Sequence, residues 1–351
     1  MKIAHCADLH IGSKFEKLKE KGELRNRDTI KALANLSEFC KEEKIHILLI
    51  AGDLFESATV KFEEVKFVKE LFADMMDTHI FISPGNHDYY SIDSCYADDD
   101  WSSNVKIFTG KMEKVYIQEL NTIVYGAGFR ASHEEKPLFD YEELRKDASN
   151  DDYKNLTKLA VIHGELVSIN ESSEYNPICI EEIPEDYFSY IALGHIHTRS
   201  EVMNFGKMKY AYSGNIEGTS FKTTGKKGIY FGNISSKNEY ELNKEINIEI
   251  ECESDKEKNY TECSDIQFKQ FSTKLFLKKR IDITECCSFN DLKNKVLDEI
   301  KEDINWKNNF YRITLIGYVS KKNLFSLNLL KEILENELYY LELLNETEYE
   351  Y

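Results

Sequence analysis

Cysteine is too scattered in this sequence to build a structural framework. The 351-residue chain has 8 cysteines, only Cys286 and Cys287 are adjacent, and no pair has C-x-x-C spacing. These spacings favour neither a zinc ribbon nor a disulfide-stapled fold. We therefore expect a protein of a reducing compartment.

The sequence also lacks a long hydrophobic run. No apolar stretch reaches the ~18 residues that indicate a membrane-spanning helix. Residues 2–7 already have the pattern of a strand, which leaves no room for the basic and apolar regions of a signal peptide. We therefore expect a cytoplasmic protein without a membrane partner.

Positive charge is scarce. The 45 Lys and Arg against 63 Asp and Glu give a formal net charge of -18. Such a protein does not hold nucleic acid by bulk electrostatics, because phosphate contacts need clustered Lys and Arg. Residues 13–27 are a local basic exception. We interpret them as a solvated loop leading into a helix, in preference to a contact with a phosphate backbone.

What the sequence does contain is a series of short apolar segments alternating with amphipathic ones. Residues 45–50 are nearly continuously apolar, which indicates a strand covered on both faces. Apolar spacing predicts helices at 28–41 and 62–76, and a further strand at 79–82. This order predicts a parallel α/β sheet, in which ligands collect at the carboxyl ends of the strands. Further strands are predicted at 105–108, 115–117, 122–125 and 158–162.

Polar residues follow the first three predicted strands. Asp8 and His10 follow the first, and because side chains two apart on a strand point to the same face, they can address one site. Asp53 and Asn86 follow the next two strands. Ordinary turn chemistry explains each of these ends singly but explains all three jointly much less well. We interpret the acidic stretch 91–103 beyond them as a solvated loop.

Histidines follow two later strands. His163 ends the apolar run 158–162, and His195 and His197 follow the run 190–193 after Gly194, which lets the backbone come close. The same spacing of two histidines also occurs on ordinary strands. The other strand ends favour the interpretation as ligands.

Together these residues form the inventory of a site for two divalent metal ions. Asp53 is the predicted bridging ligand, because the others divide into one group with Asp8 and another with Asn86. Two divalent ions and two aspartates leave a charge of about +2, and a bridging hydroxide lowers it to about +1, which suits a phosphate ester anion. We therefore predict phosphoester hydrolysis. The predicted ligands are Asp8, His10, Asp53, Asn86, His163, His195 and His197.

The ordered set of motifs resembles that of the calcineurin-like metallophosphoesterases. Within that superfamily, segments 193–198, 212–218 and 225–228 resemble the SbcD-type DNA repair exonucleases, including the YhaO-like branch, which are relatives of the eukaryotic double-strand-break nuclease. The resemblance covers residues 1 to about 234. The matching motifs are Asp8-Leu9-His10, Gly52-Asp53, Gly85-Asn86-His87-Asp88, His163-Gly164-Glu165 and Gly194-His195-Ile196-His197.

This resemblance implies a metal-dependent DNA exonuclease that uses Mn²⁺, with endonuclease activity left open. The ligand set agrees with Mn²⁺, because it offers carboxylate, amide and imidazole groups and no thiolate. The family works on DNA with an SMC-type coiled-coil ATPase (SbcC-like), and a homodimer is left open. We expect His87 to stabilise the phosphoryl charge or protonate the leaving oxygen, and Asp88 to orient it.

We expect two domains. A nuclease domain over 1–260 would be an α/β sandwich of two sheets flanked by helices, and a small α/β capping domain would occupy 265–351, with the polar segment 255–264 as the boundary. Two rival functions remain, namely a phosphatase or small phosphodiesterase, and a regulatory subunit of an ATPase complex with a vestigial metal site. In the C-terminal part we predict strands at 274–283 and 310–318, a helix opened by a capping box at 288–291, a helix at 327–338, and a solvated tail at 342–351.

Overall fold

The computed structural model describes residues 1–234, 266–320 and 325–350. The chain divides into two compact units, the first made of Met1–Ile216 and Gly228–Phe271, and the second of Glu217–Lys227 and Ser272–Tyr351. The expected boundary at 255–264 lies outside the described residues, so the limits 1–260 and 265–351 stay a prediction.

The first unit consists of two large sheets with helices on their outer faces. Its helices are α1 (Gly22–Glu42), α2 (Phe62–Ala73) and α3 (Tyr141–Ala148). Its strands are β1 (Lys2–Cys6), β2 (Ile47–Ile50), β3 (His79–Ile82), β4 (Val105–Ile107), β5 (Glu113–Ile117), β6 (Thr122–Gly126), β7 (Thr157–His163), β8 (Glu165–Leu166), β9 (Pro177–Ile178), β10 (Tyr190–Gly194), β11 (Met203–Phe205), β12 (Met208–Tyr212), β13 (Gly228–Asn233) and β14 (Gln267–Gln270).

Parallel strands form the centre of both sheets. The first sheet has the order β14-β13-β1-β2-β3-β4, in which β1 to β4 are parallel and β13 runs antiparallel to β1. The second has the order β11-β12-β10-β7-β6-β5, with β6, β7, β10 and β12 parallel. The carboxyl ends of the parallel strands therefore lie together at one edge of each sheet.

Alternate residues along the strands build separate layers of core. On β1, Ala4 and Cys6 belong to the cluster that includes α1 and α2, whereas Ile3 packs between the two sheets. On β7, Leu159 packs between the sheets and Ile162 belongs to the cluster with α3. Because both faces of these strands are covered, their sequences are nearly continuous apolar runs. The predicted α/β fold is confirmed.

The basic segment 13–27 is more structured than a solvated loop. It contains a 3₁₀ helix at Glu16–Lys21, and α1 begins at Gly22, six residues before the predicted start. Arg25 is fully buried, and its guanidinium lies 3.3 Å from the Asp28 carboxylate. The prediction of a solvated loop is therefore wrong for the second half of this segment. Gly22 and Arg25 are buried there, and the helix already includes them.

The acidic stretch 91–103 is also anchored rather than simply solvated. A short 3₁₀ helix at Cys95–Ala97 buries Tyr96, and the Trp101 indole donates a hydrogen bond to the Cys95 carbonyl at 2.8 Å. The Lys69 ammonium pairs with Asp98 at 2.6 Å. Two aromatic residues thus hold a segment that its charge alone suggested would be free.

The second unit is a small parallel sheet with two helices on one face. The capping box predicted at its first helix is confirmed, because the Ser288 hydroxyl accepts from the Asp291 amide and the Asp291 carboxylate accepts from the Ser288 amide. The main sheet has the order β15-β16-β18. The elements are β15 (Phe276–Asp282), α4 (Phe289–Lys301), β16 (Phe310–Ile316), β17 (Tyr318–Ser320), α5 (Leu327–Glu337), β18 (Tyr340–Asn345) and β19 (Glu348–Glu350).

The prediction of a solvated C-terminal tail is wrong. Strand β18 pairs in parallel with β16, and β19 pairs with β17. Leu341 is buried in the core of the second unit, with Leu343 packed against it. Leu341 and Leu343 lie two positions apart on β18 and point to the same face, so this face of the strand packs on the core. Within the ranges that the structure describes, no helix is both long and apolar enough to cross a membrane.

Candidate metal centre

All seven predicted ligands lie at the carboxyl ends of five parallel strands from the two sheets. Asp8 and His10 follow β1, Asp53 follows β2 and Asn86 follows β3, whereas His163 ends β7 and the last two histidines follow β10. Backbone bonds tie these ends together. The Asp8 amide donates to the Gly52 carbonyl at 3.0 Å, and the His10 amide donates to the Asp53 carbonyl at 2.8 Å.

One group of ligand atoms gathers around the end of β1. Asp8, His10, Asp53 and His197 each offer an atom, and these atoms all lie within 4.8 Å of one another. The Nε2 atoms of His10 and His197 are 3.1 Å apart, and His10 Nε2 is 3.6 Å from Asp53 Oδ2. Imidazole and carboxylate atoms at this separation can share one divalent ion.

A second group gathers around Asn86. Its Oδ1 lies 3.0 Å from His163 Nε2 and 3.3 Å from His195 Nδ1. His163 Nε2 lies 3.6 Å from Asp53 Oδ2, which is also the distance from that oxygen to the His10 Nε2 of the first group. Asp53 therefore stands between two groups of ligand atoms, the position that a bridging carboxylate needs.

Asp8 provides a test of whether these residues fit a cation. Its Oδ2 atom is buried and has no hydrogen-bond partner within the described parts of the chain. Burial, with a contribution from the nearby Asp53 charge, raises the pKa of Asp8 to about 6. A buried, unpaired carboxylate oxygen is costly unless a positive charge faces it. The donor set therefore fits a divalent metal.

The protonation of His195 and His197 is consistent with this interpretation. Burial lowers the pKa of His197 to about 3 and that of His195 to about 4. Both imidazoles are therefore neutral near pH 7, which is the form that binds metals. Burial opposes protonation of His10 as well, but its hydrogen bond to Glu56 and the charge of Asp53 outweigh burial and raise its pKa to about 9.

The backbone is strained where it presents the ligands. Four of the predicted ligands have positive φ angles, a conformation that typically costs ~1–3 kcal/mol per non-glycine residue and that clusters at functional sites. The surrounding structure must offset this cost. The four are Asp8 at 53°, His10 at 49°, Asp53 at 49° and His195 at 102°.

Two glycines allow the strand ends to approach one another. A Cβ atom at Gly194 would overlap the Ala51 carbonyl oxygen, and one at Gly85 would overlap Asp53 Oδ1. Any side chain at either position would push β10 from β2, or the Asn86 loop from Asp53. The close approach expected at Gly194 is therefore confirmed.

His87 lies beside the metal-binding groups and contacts Glu56. Its Nδ1 atom is 3.1 Å from each carboxylate oxygen of Glu56, and this hydrogen bond raises the pKa of His87. Burial opposes ionisation of Glu56, but its hydrogen bonds to His10 and His87 lower its pKa to about 2. Glu56 is thus an anion that holds two imidazoles, and His87 keeps an exposed edge.

Asp88 has different contacts from those expected. Its carboxylate accepts hydrogen bonds from the backbone amides of Gly85 at 2.7 Å and Phe55 at 3.0 Å, and from the Tyr96 hydroxyl at 2.6 Å. Within the described residues it makes no hydrogen bond to the His87 imidazole, which Glu56 contacts instead. Asp88 therefore organises the loop that carries Asn86, and its catalytic role stays a prediction.

The sequence profile of the calcineurin-like phosphoesterases matches residues 1–199, more than half of the chain and all seven predicted ligands. The chain belongs to the calcineurin-like phosphoesterase family. It is a hydrolase of phosphoester bonds, and the family's use of divalent metals agrees with the fit of Asp8. The resemblance inferred from the five motifs is confirmed.

Relatives within this family include nucleases. The chain is 27% identical to the metallophosphoesterase YhaO of Bacillus subtilis (strain 168), over 66% of this chain and 57% of YhaO. It is 25% identical to the DNA double-strand break repair protein Mre11 of Methanococcus maripaludis, over 86% of this chain and 81% of Mre11. It is 24% identical to the SbcD component of the nuclease SbcCD of B. subtilis, over 64% of each chain.

Sequence reasoning missed three residues that support the phosphoesterase site. Glu56 follows Asp53 by three positions but lacks the strand-end pattern that marked the others. Tyr96 holds Asp88 from a stretch interpreted as solvated, and Tyr175 packs against His195 with ring centroids 4.8 Å apart. The local sequence has no periodic signal for any of them, because each acts on a residue brought close only by folding.

Proposed function

We propose that the protein is a two-metal-dependent nuclease that hydrolyses phosphodiester bonds in DNA, with exonuclease activity as the main reaction. The observation that carries this proposal is the gathering of six other nitrogen and oxygen donors around Asp53, with the orphaned oxygen of Asp8 among them. The names of the Mre11 and SbcD relatives support DNA as the substrate.

Asp8, His10 and His197 would hold one metal ion, Asn86 and His163 with His195 the other, and Asp53 would bridge them. Two ions bound there would offset the phosphate charge and activate water for attack. The donors are carboxylate, amide and imidazole without thiolate, which suits Mn²⁺.

His87 is the proposed acid for the leaving oxygen. Glu56 holds its Nδ1 at 3.1 Å and raises its pKa, which favours the protonated ring, and the ring presents its Nε2 away from Glu56. A positioned acid of this kind protonates the 3′ oxygen as the phosphodiester bond breaks. Asp88 contributes by fixing the loop between Gly85 and His87.

An assay on purified protein tests the reaction class. Labelled duplex DNA, single-stranded DNA and p-nitrophenyl esters would be incubated with Mn²⁺ and with chelator. We expect Mn²⁺-dependent degradation of DNA and its loss with chelator. Preferential hydrolysis of the monoester would favour the phosphatase, and tight metal binding without hydrolysis of any substrate would favour the vestigial regulatory subunit.

A net charge of -18 leaves little field to attract DNA. In the basic segment, Lys14, Lys17 and Arg27 are exposed, whereas Arg25 is buried in α1. We therefore infer that DNA binding by the isolated chain is weak and strongly salt-sensitive, and that an SMC-type ATPase supplies the missing affinity. Tight duplex binding at physiological salt without a partner would contradict this inference.

The proposed contact with the ATPase lies on the second unit. Helix α5 buries Leu330 and Leu334 within its own unit, as an amphipathic helix does, but Leu329 remains 44% exposed. We expect Leu329→Glu to reduce co-purification of the ATPase, with the equally apolar exposed Ile304→Glu as the matched control. Equal recovery of the ATPase by both variants would place the contact elsewhere.

A further inference from the structure

A stack of three rings ends on the predicted ligand His195. The ring of Tyr175 packs on that of His195 with centroids 4.8 Å apart and planes at 31°, and the ring of His133 packs on Tyr175 at 5.4 Å and 30°. His163 contacts His195 edge-on at 5.2 Å. His195 is therefore held between two aromatic rings.

His195 depends on such packing more than an ordinary strand residue does. Its φ of 102° lies in the left-handed region, and strained backbone of this kind persists only where the surroundings determine it strongly. The outer torsion of a histidine side chain has broad energy wells. Packing therefore decides where the ring nitrogen points, and here Nδ1 points to within 3.3 Å of Asn86 Oδ1.

Tyr175 is itself fixed to the end of β7. Its amide donates to the Ser173 hydroxyl at 3.0 Å, and its carbonyl accepts from the Glu165 amide at 2.9 Å. The next residue, Asn176, is buried, and its side-chain amide donates to the His163 carbonyl at 2.7 Å. The segment that carries Tyr175 is thus bonded to the strand end that carries His163.

The ring of Tyr175, and not its hydroxyl, makes this contact. Within the described residues the hydroxyl has no hydrogen-bond partner, although the ring is half-buried and contacts two imidazoles. The Ser132 hydroxyl lies 2.9 Å from His133 Nδ1 and restrains the outer ring. Removing the hydroxyl alone should therefore leave the stack intact.

We propose that Tyr175 is a positioning residue for His195, which aims the imidazole at the Asn86 group through ring packing, with His133 supporting it from outside. This inference rests on the proposed metal-dependent function. Tyr175 touches neither substrate nor metal in this scheme. Its effect should fall on the ion held by Asn86, His163 and His195, and not on the ion held by Asp8, His10 and His197.

The test is a measurement of Mn²⁺ binding to the purified protein. Equilibrium dialysis and the electron paramagnetic resonance signal of free Mn²⁺ both report the amount bound. In Tyr175→Ala we expect one of the two binding steps to weaken by ~10–100-fold, as supporting residues of metal ligands typically do when removed, and the other step to keep its wild-type affinity. Tyr175→Phe should bind both ions as the wild type does, and His133→Ala should weaken the same step by a smaller factor.

Three outcomes would overturn the inference. They are wild-type binding of both ions by folded Tyr175→Ala, equal weakening of both ions, and equal loss in Tyr175→Phe and Tyr175→Ala. Circular dichroism and thermal unfolding of the metal-free variants establish that each is folded. If the wild-type protein itself binds no Mn²⁺, the proposed function fails before Tyr175 is tested, so the two failures are distinguishable.

Discussion

Asp8 in the first unit and Asp282 in the second both lie at the end of a parallel strand, but their surroundings differ. Asp282 ends β15, and its Oδ1 accepts hydrogen bonds from the Thr284 amide at 2.9 Å and hydroxyl at 2.6 Å. Asp8 follows β1, is fully buried, and leaves Oδ2 without a partner within the described residues. The residues that follow Asp282 donate hydrogen bonds to its carboxylate, whereas one carboxylate oxygen of Asp8 receives none from the described residues.

The pKa values of the two carboxylates shift in opposite directions because these surroundings differ. Hydrogen bonds from Thr284 lower the pKa of Asp282, whereas burial raises that of Asp8. Both groups of His, Asp and Glu close enough to share a metal lie in the first unit, as far as the described chain extends. A single carboxylate at the end of a strand is explained by the local turn. The candidate metal site lies where the ends of strands from two sheets converge.

The largest expected effect tests the centre of that convergence. Asp53→Asn removes the charge between the two groups of ligands, so both ions should bind weakly. Hydrolysis should fall by more than ~10²-fold, which is the largest loss typical of a residue that only supports a metal ligand. Metal analysis after gel filtration, together with the DNA assay, measures both. Near-normal metal content with normal activity would remove Asp53 from the bridging position.

The next effect separates catalysis from metal binding. His87→Ala should keep both ions and DNA binding but lose rate by ~10²-fold or more, because the leaving oxygen loses its acid. His79→Ala is the matched control, since His79 lies at the opposite end of β3 and pairs with Glu119. Full activity of the His87 variant would exclude it from the reaction.

A smaller effect is expected at the residue that sequence reasoning missed. Glu56→Gln keeps the shape of the side chain but loses the charge that holds His87, so the rate should fall by about tenfold. The pH profile sharpens this test. Loss of the anion should lower the pKa of His87, and the alkaline limb of the rate profile should move to lower pH. An unmoved limb would mean that Glu56 does not act through His87.

The smallest effect belongs to the second unit. Asp282→Ala removes only a local turn contact, so it should lower Tm slightly and leave metal affinity and DNA hydrolysis at wild-type levels. Differential scanning calorimetry and the same metal analysis measure these quantities. A large loss of metal from this variant would break the comparison, because a locally satisfied carboxylate would then behave like Asp8.

The strands and the ligands they carry could be predicted because their signals are local. A parallel strand covered on both faces is continuously apolar, and the polar residue that ends it is adjacent in sequence. Strand His79–Ile82 was predicted with its observed limits for this reason. The prediction failed at 342–351, where the acidic residues suggested a tail although Leu343 and Leu344 belong to a strand.

The sequence alone determined the fold class and the order of the five strand ends, since period-two alternation, covered strands and turn residues are encoded within a few positions. Only the tertiary structure decided which residues support them. Glu56 meets His87 across 31 positions, and Tyr175 meets His195 across 20. A contact of this kind depends on how two loops pack, and no local pattern of residues carries that information.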